Sequence, residues 1–429
     1  MAPLLGMLMG GGPAPGVNSV IAAATIRACL EGVEVVGIHD GFEGLMSGSP
    51  RHECLEIARV SRIHFRGGCV LGTSRANPTR TPADLLRTVD SLKAMGIDML
   101  LTIGGDDTAT SACAIGEAAG EALRIAHVPK TIDNDLDLPP DVDTFGYETA
   151  RSVGVQIVQN LMVDARTTGR WYLVVTMGRK AGHLALGIGK AAGATLTIIP
   201  EEFGSTCVTL DAVADTIVGA IIKRRSEGRS DGVAIIAEGV CLAIDPASMK
   251  HLGRVELDEH GHVRMSELDL GGVLRDEVRR RLDDIACEAT VVAKNLGYEL
   301  RSADPVPADM EYTRDLGFCG AKYLLQGGSG AVITMQRGHF TPVPLSSLLN
   351  ATGDHVRVRL VDITSSRYAI ARRYMIRIRR SDLDDARTLG ALAACTNLTP
   401  EAFASRFSPS VEFEPPPIRC VDVEPSEDA

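Results

Sequence analysis

The first half of the chain repeats one local pattern, in which a short apolar run ends in glycines or acids and a helical stretch follows. It is clearest where the apolar run Leu4–Met9 is followed by three glycines and then by a helical pattern at Val17–Leu30. The run Ile97–Ile103, the GGDDT loop and an alanine-rich helical pattern at Ala109–Ala122 repeat it. Because parallel strands need long crossover connections, which helices usually supply, the pattern predicts an α/β fold with mainly parallel sheets.

A second group of strand and helix patterns begins near Tyr147. A long helical pattern at Thr149–Ala165 separates the two groups, and an irregular stretch near residue 300 indicates that one domain is revisited late in the chain. The predicted domains are 1–146 with about 300–345, and 147–299 with about 346–410. The proline-rich, acidic end, 411–429, is expected to be a tail.

The composition argues against several classes of partner. Lys and Arg number 44 against 55 Asp and Glu, a net charge of −11, and so acidic a surface repels phosphate backbones and anionic lipid. The ten cysteines form no zinc-type spacing, and no stretch approaches the ~18 apolar residues of a membrane span. We therefore expect a soluble cytoplasmic protein that binds neither nucleic acid nor membrane.

Three glycines, Gly10, Gly11 and Gly12, lie between the first strand and its helix. The backbone N–H groups of such a loop, together with the helix dipole, can bind an anion, and glycine lets the backbone come close. The loop matches neither the dinucleotide fingerprint nor the Walker A pattern. A tight turn without a ligand is the alternative.

The GGDDT loop places Asp106 and Asp107 after a buried strand, at the start of a helix. Both carboxylates could simply cap that helix. However, ligands of open parallel sheets bind at the carboxyl ends of the strands. One aspartate could therefore hold Mg²⁺, which takes one or two carboxylates together with waters and substrate phosphates.

The stretch PKTIDNDLDLPPDVD, residues 129–143, is rich in aspartate. So acidic a loop is usually solvated surface. In its first half, however, the branched Ile132 is expected to be buried and to hold Asp133 and Asp135 on a structured turn. A carboxylate fixed beside Lys130 is suited to act as the general base for a hydroxyl that attacks phosphorus.

Cationic residues flank the strand pattern WYLVVT. Arg170 precedes the strand, and Arg179 lies in the motif MGRKAGH, residues 177–183, which follows it. Isolated arginines are more often surface charges, but the guanidinium is a planar fork that suits phosphate. Together with the candidate base, these residues indicate a phosphorylated substrate.

As a set, these motifs resemble those of the phosphofructokinase family. The matching motifs, in their order along residues 4 to about 340, are GGGPAPGVNSVI, GGDDT, PKTIDND, MGRKAGHLA, AEG and NLGYELRSADPVPADMEYTRDLG. The combination is far more specific than any single loop. The resemblance implies two Rossmann-like, three-layer α/β domains with mainly parallel sheets, and an active site in the cleft between them.

The resemblance also implies a role for each residue of the phosphate-donor side. Asp133 is the base that takes the proton from the 1-hydroxyl of the sugar. Asp106 is associated with Mg²⁺, and Arg75 bridges the transferring phosphate. The residues implied to contact diphosphate are Gly11, Gly12 and Lys130.

Further residues are implied to contact the sugar phosphate. Within one chain these are Thr131, Ile132, Asp135, Met177, Gly178, Arg179, Glu238, Tyr298 and Arg301. Tyr298 stands where ATP-dependent members often place a histidine on the 6-phosphate, and Arg301 matches an arginine on that phosphate. Arg170 matches an arginine that reaches in from a neighbouring subunit, which implies a homodimer or homotetramer.

Two positions are implied to select the phosphate donor. ATP-dependent members usually read GGDG and PGTIDND, whereas this chain has Asp107 and Lys130 at the two varied positions. The carboxylate of Asp107 would repel the α-phosphate of ATP, and Lys130 would supply positive charge to the phosphate that leaves diphosphate. Both residues are typical of the pyrophosphate-dependent branch.

The implied activity is a reversible, Mg²⁺-dependent phosphoryl transfer from diphosphate to the 1-hydroxyl of D-fructose 6-phosphate, giving D-fructose 1,6-bisphosphate and phosphate in glycolysis and gluconeogenesis. One alternative is an ATP-dependent 6-phosphofructokinase with an atypical loop. Another is a non-catalytic regulatory subunit, which predicts a damaged TIDND or MGR motif, whereas both are intact.

Overall fold

The computed structural model describes residues 3–204, 208–245, 248, 269–350, 356–411 and 414. The chain divides into two compact units. Unit 1 is formed by Met1–Gly154 and Leu296–Arg359, and unit 2 by Val155–Asn295 and Leu360–Ala429. The division predicted from the sequence has the same order of segments. Its boundaries were placed after 146, near 300 and near 345, whereas the structure divides the chain after Gly154, Asn295 and Arg359. Apart from residues 411 and 414, the predicted tail lies outside the described residues.

Strands and helices alternate along much of the chain. The strands are β1 (Leu4–Met9), β2 (Glu34–Ile38), β3 (His52–Cys54), β4 (Met99–Gly104), β5 (Arg124–Pro129), β6 (Arg170–Thr176), β7 (Leu196–Ile198), β8 (Gly232–Ala237), β9 (Thr290–Leu296), β10 (Ala331–Val332), β11 (Met335–Gln336), β12 (His339–Phe340) and β13 (Val343–Pro344). The helices are α1 (Val17–Leu30), α2 (Glu43–Ser47), α3 (Ile57–Val60), α4 (Pro82–Ala94), α5 (Asp106–Ala119), α6 (Tyr147–Thr168), α7 (His183–Ala192), α8 (Leu210–Ser226), α9 (Val240–Ala243), α10 (Leu270–Asp284), α11 (Tyr298–Arg301), α12 (Pro307–Leu325), α13 (Ser366–Tyr374), α14 (Arg380–Asp384), α15 (Ala386–Ala393) and α16 (Pro400–Phe407).

The described residues of unit 1 form a seven-stranded sheet in the order β13-β10-β5-β4-β1-β2-β3. The five strands from β10 to β2 run parallel to one another. The two edge strands, β13 and β3, pair antiparallel with β10 and β2. Helices cover both faces. Leu101 of β4 belongs to a buried cluster with Leu316 of α12. The preceding residue of the strand, Leu100, belongs to a second cluster with Ile115 of α5. This is the three-layer arrangement that the motifs imply.

The described residues of unit 2 contain a four-stranded sheet in the order β7-β8-β6-β9. Strand β8 is parallel to both β7 and β6. Every residue of β8, with the sequence GVAIIA, is buried, which is expected for a parallel strand covered on both faces. Helix α8 is also buried along most of its length.

Two elements, β1 and α1, begin and end where the sequence predicts. Helix α5 differs, because it begins at Asp106 instead of Ala109. Carboxylates in the first turn of a helix are stabilised by the helix dipole. In addition, the Oδ1 atom of Asp106 accepts a hydrogen bond from the N–H group of Asp107 at 2.9 Å. The two aspartates therefore belong to the first helical turn and not to the preceding loop.

The described cysteines are free thiols. Burial raises the pKa of the Cys69 and Cys241 thiols to about 11, so both stay protonated at neutral pH. They pack as small apolar side chains. Among the helices of the described residues, none combines the length and the apolar character that crossing a membrane requires.

Candidate active site

Three loops of unit 1 leave the same edge of its sheet. Strands β5, β4 and β1 are adjacent and parallel, so the segments that begin at Lys130, Gly105 and Gly10 follow three neighbouring strand ends. The N–H group of Gly10 donates to the carbonyl of Ile103 at 2.9 Å, and that of Lys130 donates to the carbonyl of Gly104 at 2.8 Å. These bonds fix the start of two loops at the edge where parallel sheets bind ligands.

The segment that precedes Arg75 holds the glycine loop in place. The N–H group of Gly11 donates to the carbonyl of Ser74 at 2.9 Å, and the hydroxyl of Thr73 donates to the carbonyl of Gly11 at 2.5 Å. Gly11 has a φ of +79°, a region that favours glycine. Arg75, which is exposed, is therefore anchored beside Gly11 through its two preceding residues.

Two cationic side chains approach this glycine loop. A Cβ atom at Gly11 would lie 3.6 Å from the Nζ atom of Lys130, and one at Gly12 would lie 3.1 Å from the guanidinium carbon of Arg301. The guanidinium of Arg301 also lies 5.1 Å from the ring centroid of Tyr298, a cation–π distance. Sequence reasoning assigned Arg301 to the sugar phosphate alone, whereas the structure brings it to the loop assigned to diphosphate.

Lys130 is almost completely buried, with 6% of its surface exposed. Burial lowers the pKa of its ammonium group to about 8. The carboxylate of Asp133 opposes this shift, as do those of Asp106 and Asp135 more weakly, whereas the positive charge of Arg301 adds to it. The structure therefore gathers two cations and three carboxylates around the glycine loop. At neutral pH the ammonium group remains mostly charged.

Burial alternates along the acidic loop that follows Lys130. The buried residues are Ile132, Asn134, Leu136 and Leu138, and the half-buried ones between them are Thr131, Asp133, Asp135 and Asp137. Buried and half-buried side chains thus alternate residue by residue along this segment. The predicted burial of Ile132 is confirmed, and the carboxylates of Asp133 and Asp135 lie on the accessible side of the loop.

Asn134 links the two ends of this loop. Its φ is +56°, in the left-handed region that asparagine tolerates better than most residues. Its Oδ1 atom accepts a hydrogen bond from the N–H group of Thr144 at 3.0 Å, and its Nδ2 atom donates to Asp143 at 2.6 Å. The hydroxyl of Thr144 donates to the carbonyl of Thr131 at 2.7 Å. Sequence reasoning assigned no role to Asn134.

A second support for the loop comes from Asp309 of α12, which is buried. Its carboxylate accepts hydrogen bonds from the N–H groups of Gly146 at 2.9 Å and Thr149 at 2.7 Å, and from the Thr149 hydroxyl at 2.6 Å. It thus caps the start of α6, where the acidic loop ends. Burial raises the pKa of Asp309, although these hydrogen bonds oppose the shift. Sequence reasoning missed this residue.

Asp106 and Asp107 lie in the first turn of α5, the former half-buried and the latter exposed. The carboxylate of Asp106 is close enough to Lys130 to influence its pKa. Mg²⁺ is usually bound by one or two carboxylates, with waters and substrate phosphates as its other ligands. One carboxylate near the two cations Lys130 and Arg301 fits that requirement. Among the described residues, no three His, Cys, Asp or Glu side chains group into a cage that could hold a metal.

Unit 2 carries a second group of predicted residues. Met177 follows β6 and Glu238 follows its parallel neighbour β8, so both lie at one edge of that sheet. The N–H group of Gly239 donates to the carbonyl of Gly178 at 3.0 Å, and a Cβ at Gly239 would lie 2.8 Å from the carbonyl oxygen of Arg179. The two loops thus pack backbone against backbone. The structure brings Met177, Gly178, Arg179 and Glu238 together.

The loop that contains Arg179 is held from behind by Glu201, which is buried. Its Oε1 atom accepts hydrogen bonds from the N–H groups of Gly182 at 2.8 Å and Val361 at 3.0 Å. Burial raises the pKa of this carboxyl group, and these hydrogen bonds oppose the shift. Nothing in the local sequence indicates this support, because its partners lie 19 and 160 residues away.

Arg170 does not join the other residues of unit 2. It is the first residue of β6, whereas Met177 follows the last, and a seven-residue strand is ~20 Å long. Arg170 therefore lies at the opposite edge of the sheet from Arg179 and Glu238. Its Nε atom is buried and has no hydrogen-bond partner among the described residues.

Parallel α/β units with a glycine loop, paired cations and fixed carboxylates at their strand ends define a phosphoryl-transfer class of fold and site. Comparison with protein families places the chain within that class. The phosphofructokinase family model matches residues 4–324, so the chain belongs to the phosphofructokinase family.

Individual relatives agree with this assignment. The chain is 47% identical, over 96% of its length and 100% of the relative's, to the pyrophosphate–fructose 6-phosphate 1-phosphotransferase of Thermotoga maritima. It is 45% identical to the protein of the same name from Naegleria fowleri, over 94% of this chain and 95% of that one. A crystal structure of the pyrophosphate-dependent phosphofructokinase from Nitrosospira multiformis has the same fold, with a TM-score of 0.67 at 16% identity over 87% of this chain and 91% of that chain.

Proposed function

We propose that this chain transfers a phosphoryl group reversibly from diphosphate to the 1-hydroxyl of D-fructose 6-phosphate, giving D-fructose 1,6-bisphosphate and phosphate. The observation that carries the proposal is the position of Lys130, whose Nζ atom lies against Gly11 while Asp106, Asp133 and Asp135 influence its pKa. The names of the two relatives support the same donor and acceptor. The free thiols of the described cysteines support a cytoplasmic location.

Asp133 is the proposed general base. Its carboxylate is half-buried on the accessible side of the acidic loop, and its backbone N–H donates to the Thr131 hydroxyl at 3.0 Å. A carboxylate held in this way can accept the proton of the 1-hydroxyl as that oxygen attacks phosphorus. The ammonium group of Lys130 is close enough to attract this carboxylate.

Three cations are proposed to stabilise the charge on the transferring and departing phosphates. Lys130 and Arg301 lie against Gly11 and Gly12, and Arg75 follows the segment bonded to Gly11. Because Lys130 is buried, its charge acts in a medium of low polarity, where it stabilises developing anionic charge more than a solvated ammonium group would. Asp107, in the first turn of α5, is proposed to disfavour the binding of ATP.

Asp106 is proposed to hold Mg²⁺. A divalent cation bound there would neutralise charge on the donor and transferring phosphates. The protein's own contribution is to fix the carboxylate in the first turn of α5, through the hydrogen bond that Asp106 accepts from Asp107.

The sugar phosphate is proposed to contact residues of both units. Those of unit 1 are Thr131, Ile132, Asp135, Tyr298 and Arg301, and those of unit 2 are Met177, Gly178, Arg179 and Glu238. A neighbouring subunit is proposed to add Arg170, which makes the enzyme a homodimer or a homotetramer. The position of Arg170, at the far edge of the sheet from Arg179, supports its action outside its own subunit's site.

The donor is tested by comparing diphosphate and ATP in a coupled assay that measures fructose 1,6-bisphosphate. We expect diphosphate to be used and ATP to be nearly inactive. Replacing Asp107 by Gly should raise kcat/KM for ATP about 100-fold, because it removes several kcal/mol of repulsion from the nucleotide. Asp107→Asn, which removes the charge but keeps the size of the side chain, should give a similar gain because charge repulsion is the proposed cause. A clear preference of the unsubstituted enzyme for ATP would show that the ATP-dependent alternative is correct.

The sharing of Arg170 between subunits is tested by mixing two inactive variants, Asp133→Ala and Arg170→Met. If each site needs Asp133 from one subunit and Arg170 from its neighbour, random mixed oligomers regain roughly a quarter of the unsubstituted activity. Each homo-oligomer stays inactive. Activity in the mixture that never exceeds that of the two variants alone would show that Arg170 acts within its own chain or not at all.

A further inference from the structure

Residues 356–359 run alongside the acidic loop that carries the proposed base. Val358 forms an antiparallel β-bridge with Leu136, and the N–H group of Arg359 donates to the carbonyl of Asp135 at 2.8 Å. On the other side of the bridge, the N–H group of Asp137 donates to the carbonyl of Arg357 at 3.3 Å. The family model ends at residue 324, so the motifs of the family do not include this segment.

The side chain of Arg359 spans the loop from one end to the other. Its Nε atom donates to the carbonyl of Asn134 at 3.2 Å, and its Nη1 atom donates to the carbonyl of Val142 at 2.7 Å. Its Nη2 atom donates to Oδ1 of Asn134. The guanidinium also lies 3.7 Å from the carboxylate of Asp143, and only 19% of the side chain is exposed. Three acceptors therefore hold the largely buried guanidinium group of Arg359 in place.

The guanidinium group of Arg359 matters for the site because it binds Asn134. Asn134 lies between Asp133 and Asp135 and has a φ of +56°, a conformation that costs energy in a free chain. The hydrogen bonds from Arg359 go both to its backbone carbonyl and to its side-chain oxygen. A lysine could reach one of these acceptors, but it lacks the planar set of donors that Arg359 directs at all three.

We propose that Arg359 is a positioning residue for the reaction: its guanidinium holds Asn134 in the left-handed conformation and thereby sets the directions of the Asp133 and Asp135 carboxylates. This inference rests on the proposed function, in which Asp133 is the base. Arg359 itself touches neither substrate nor the reacting atoms in this account. Because the rate of transfer depends on alignment within fractions of an ångström, a loosened turn lowers kcat more than it weakens binding.

The chain provides a matched control two residues away. Arg357 lies on the same segment, but its Nε atom pairs with Asp137 at 3.0 Å and its Nη2 atom donates to the carbonyl of Ser347 at 2.9 Å. It thus contacts the outer part of the loop and not Asn134. Loss of Arg357 tests whether any weakening of the segment lowers the rate.

The experiment compares Arg359→Met, Arg359→Lys and Arg357→Met with the unsubstituted full chain, measuring kcat and both KM values with diphosphate and fructose 6-phosphate. We expect kcat of Arg359→Met to fall about 100-fold, with KM values within about threefold. Added guanidinium should restore part of this loss. Arg359→Lys should be at least ~10-fold slow, because one ammonium group cannot replace the fork, and Arg357→Met should stay within about twofold.

Several results would overturn the inference. One is a kcat of Arg359→Met within about twofold of the unsubstituted value, and another is an equal loss in Arg357→Met. If Arg359→Met does not fold, Arg359→Lys decides, since a folded lysine variant of normal kcat shows that the fork is unnecessary. An unsubstituted enzyme that does not turn over diphosphate would instead refute the proposed function, and this inference with it.

Discussion

Replacing Asp133 by Ser is expected to lower kcat by about two to four orders of magnitude, the usual contribution of a general base. The fold should survive, because Asp133 is only half-buried and the turn is held by other groups, including Asn134 and the hydroxyl of Thr144. KM for diphosphate should change little, since the proposed diphosphate contacts are Lys130 and the glycine loop. Steady-state kinetics with diphosphate, together with thermal unfolding of both proteins, measures these quantities.

Asp137→Ser is the matched control for Asp133. Asp137 lies on the same loop, is also half-buried, and follows the same alternation, but its carboxylate pairs with Arg357 at 3.0 Å instead of approaching Lys130. Removing one partly exposed ion pair costs about 1 kcal/mol or less, so kcat should be nearly unchanged. If Asp133→Ser keeps its activity within tenfold, the base has been assigned to the wrong residue.

Local sequence patterns were sufficient to predict β1, α1 and the burial of Ile132 in the loop that carries the proposed base. The apolar run of β1 ends where the glycines begin, and a continuous apolar run is typical of a parallel strand that is buried on both faces. The burial of Ile132 follows from one branched side chain among polar neighbours. These predictions hold because each depends on residues adjacent in the chain.

Supports between distant residues could not be predicted in this way. Arg359 and Asn134 are 225 residues apart, and Asp309 and Gly146 are 163 apart. An arginine or aspartate that fixes a backbone carbonyl or N–H group needs no partner of a particular residue type. No pattern of residue types therefore marks such a contact, although it shapes the turn as much as the motif does.

The start of α5 shows a third kind of limit. The prediction began the helix at Ala109, where the alanine-rich run begins, whereas the helix begins at Asp106, where the helix dipole stabilises the two carboxylates of the first turn. This shift matters for the site, because it turns the proposed Mg²⁺ ligand from a loop residue into one fixed by a helical turn. Propensity locates the middle of a helix, but the polar residues at its start determine where it begins.

Replacing Lys130 by Met is expected to lower kcat/KM for diphosphate by about two to three orders of magnitude, the scale seen when one preorganised donor to a transition state is removed. Burial lowers the pKa of Lys130 to about 8, so the free enzyme loses this charge as the pH rises through that value. The kcat/KM of the unsubstituted enzyme should therefore decline above pH 8. Lys130→Arg, which keeps its charge at every accessible pH, should lack this decline.

The same pKa gives Lys130→Met an unusual effect on stability. The folded pKa of about 8 lies below the unfolded value of about 10.4, so the unfolded chain binds more protons between these values and the stability of the unsubstituted protein rises with pH there. Below pH 8 both states are charged and the full cost of burying the ammonium group is present. That cost already includes the attraction of Asp106, Asp133 and Asp135. Lys130→Met should therefore unfold at the same or a higher temperature at pH 7 in the absence of substrates, although it is nearly inactive. A variant clearly less stable than the unsubstituted protein at pH 7 would contradict this expectation, because it would show that the charge of Lys130 stabilises the fold.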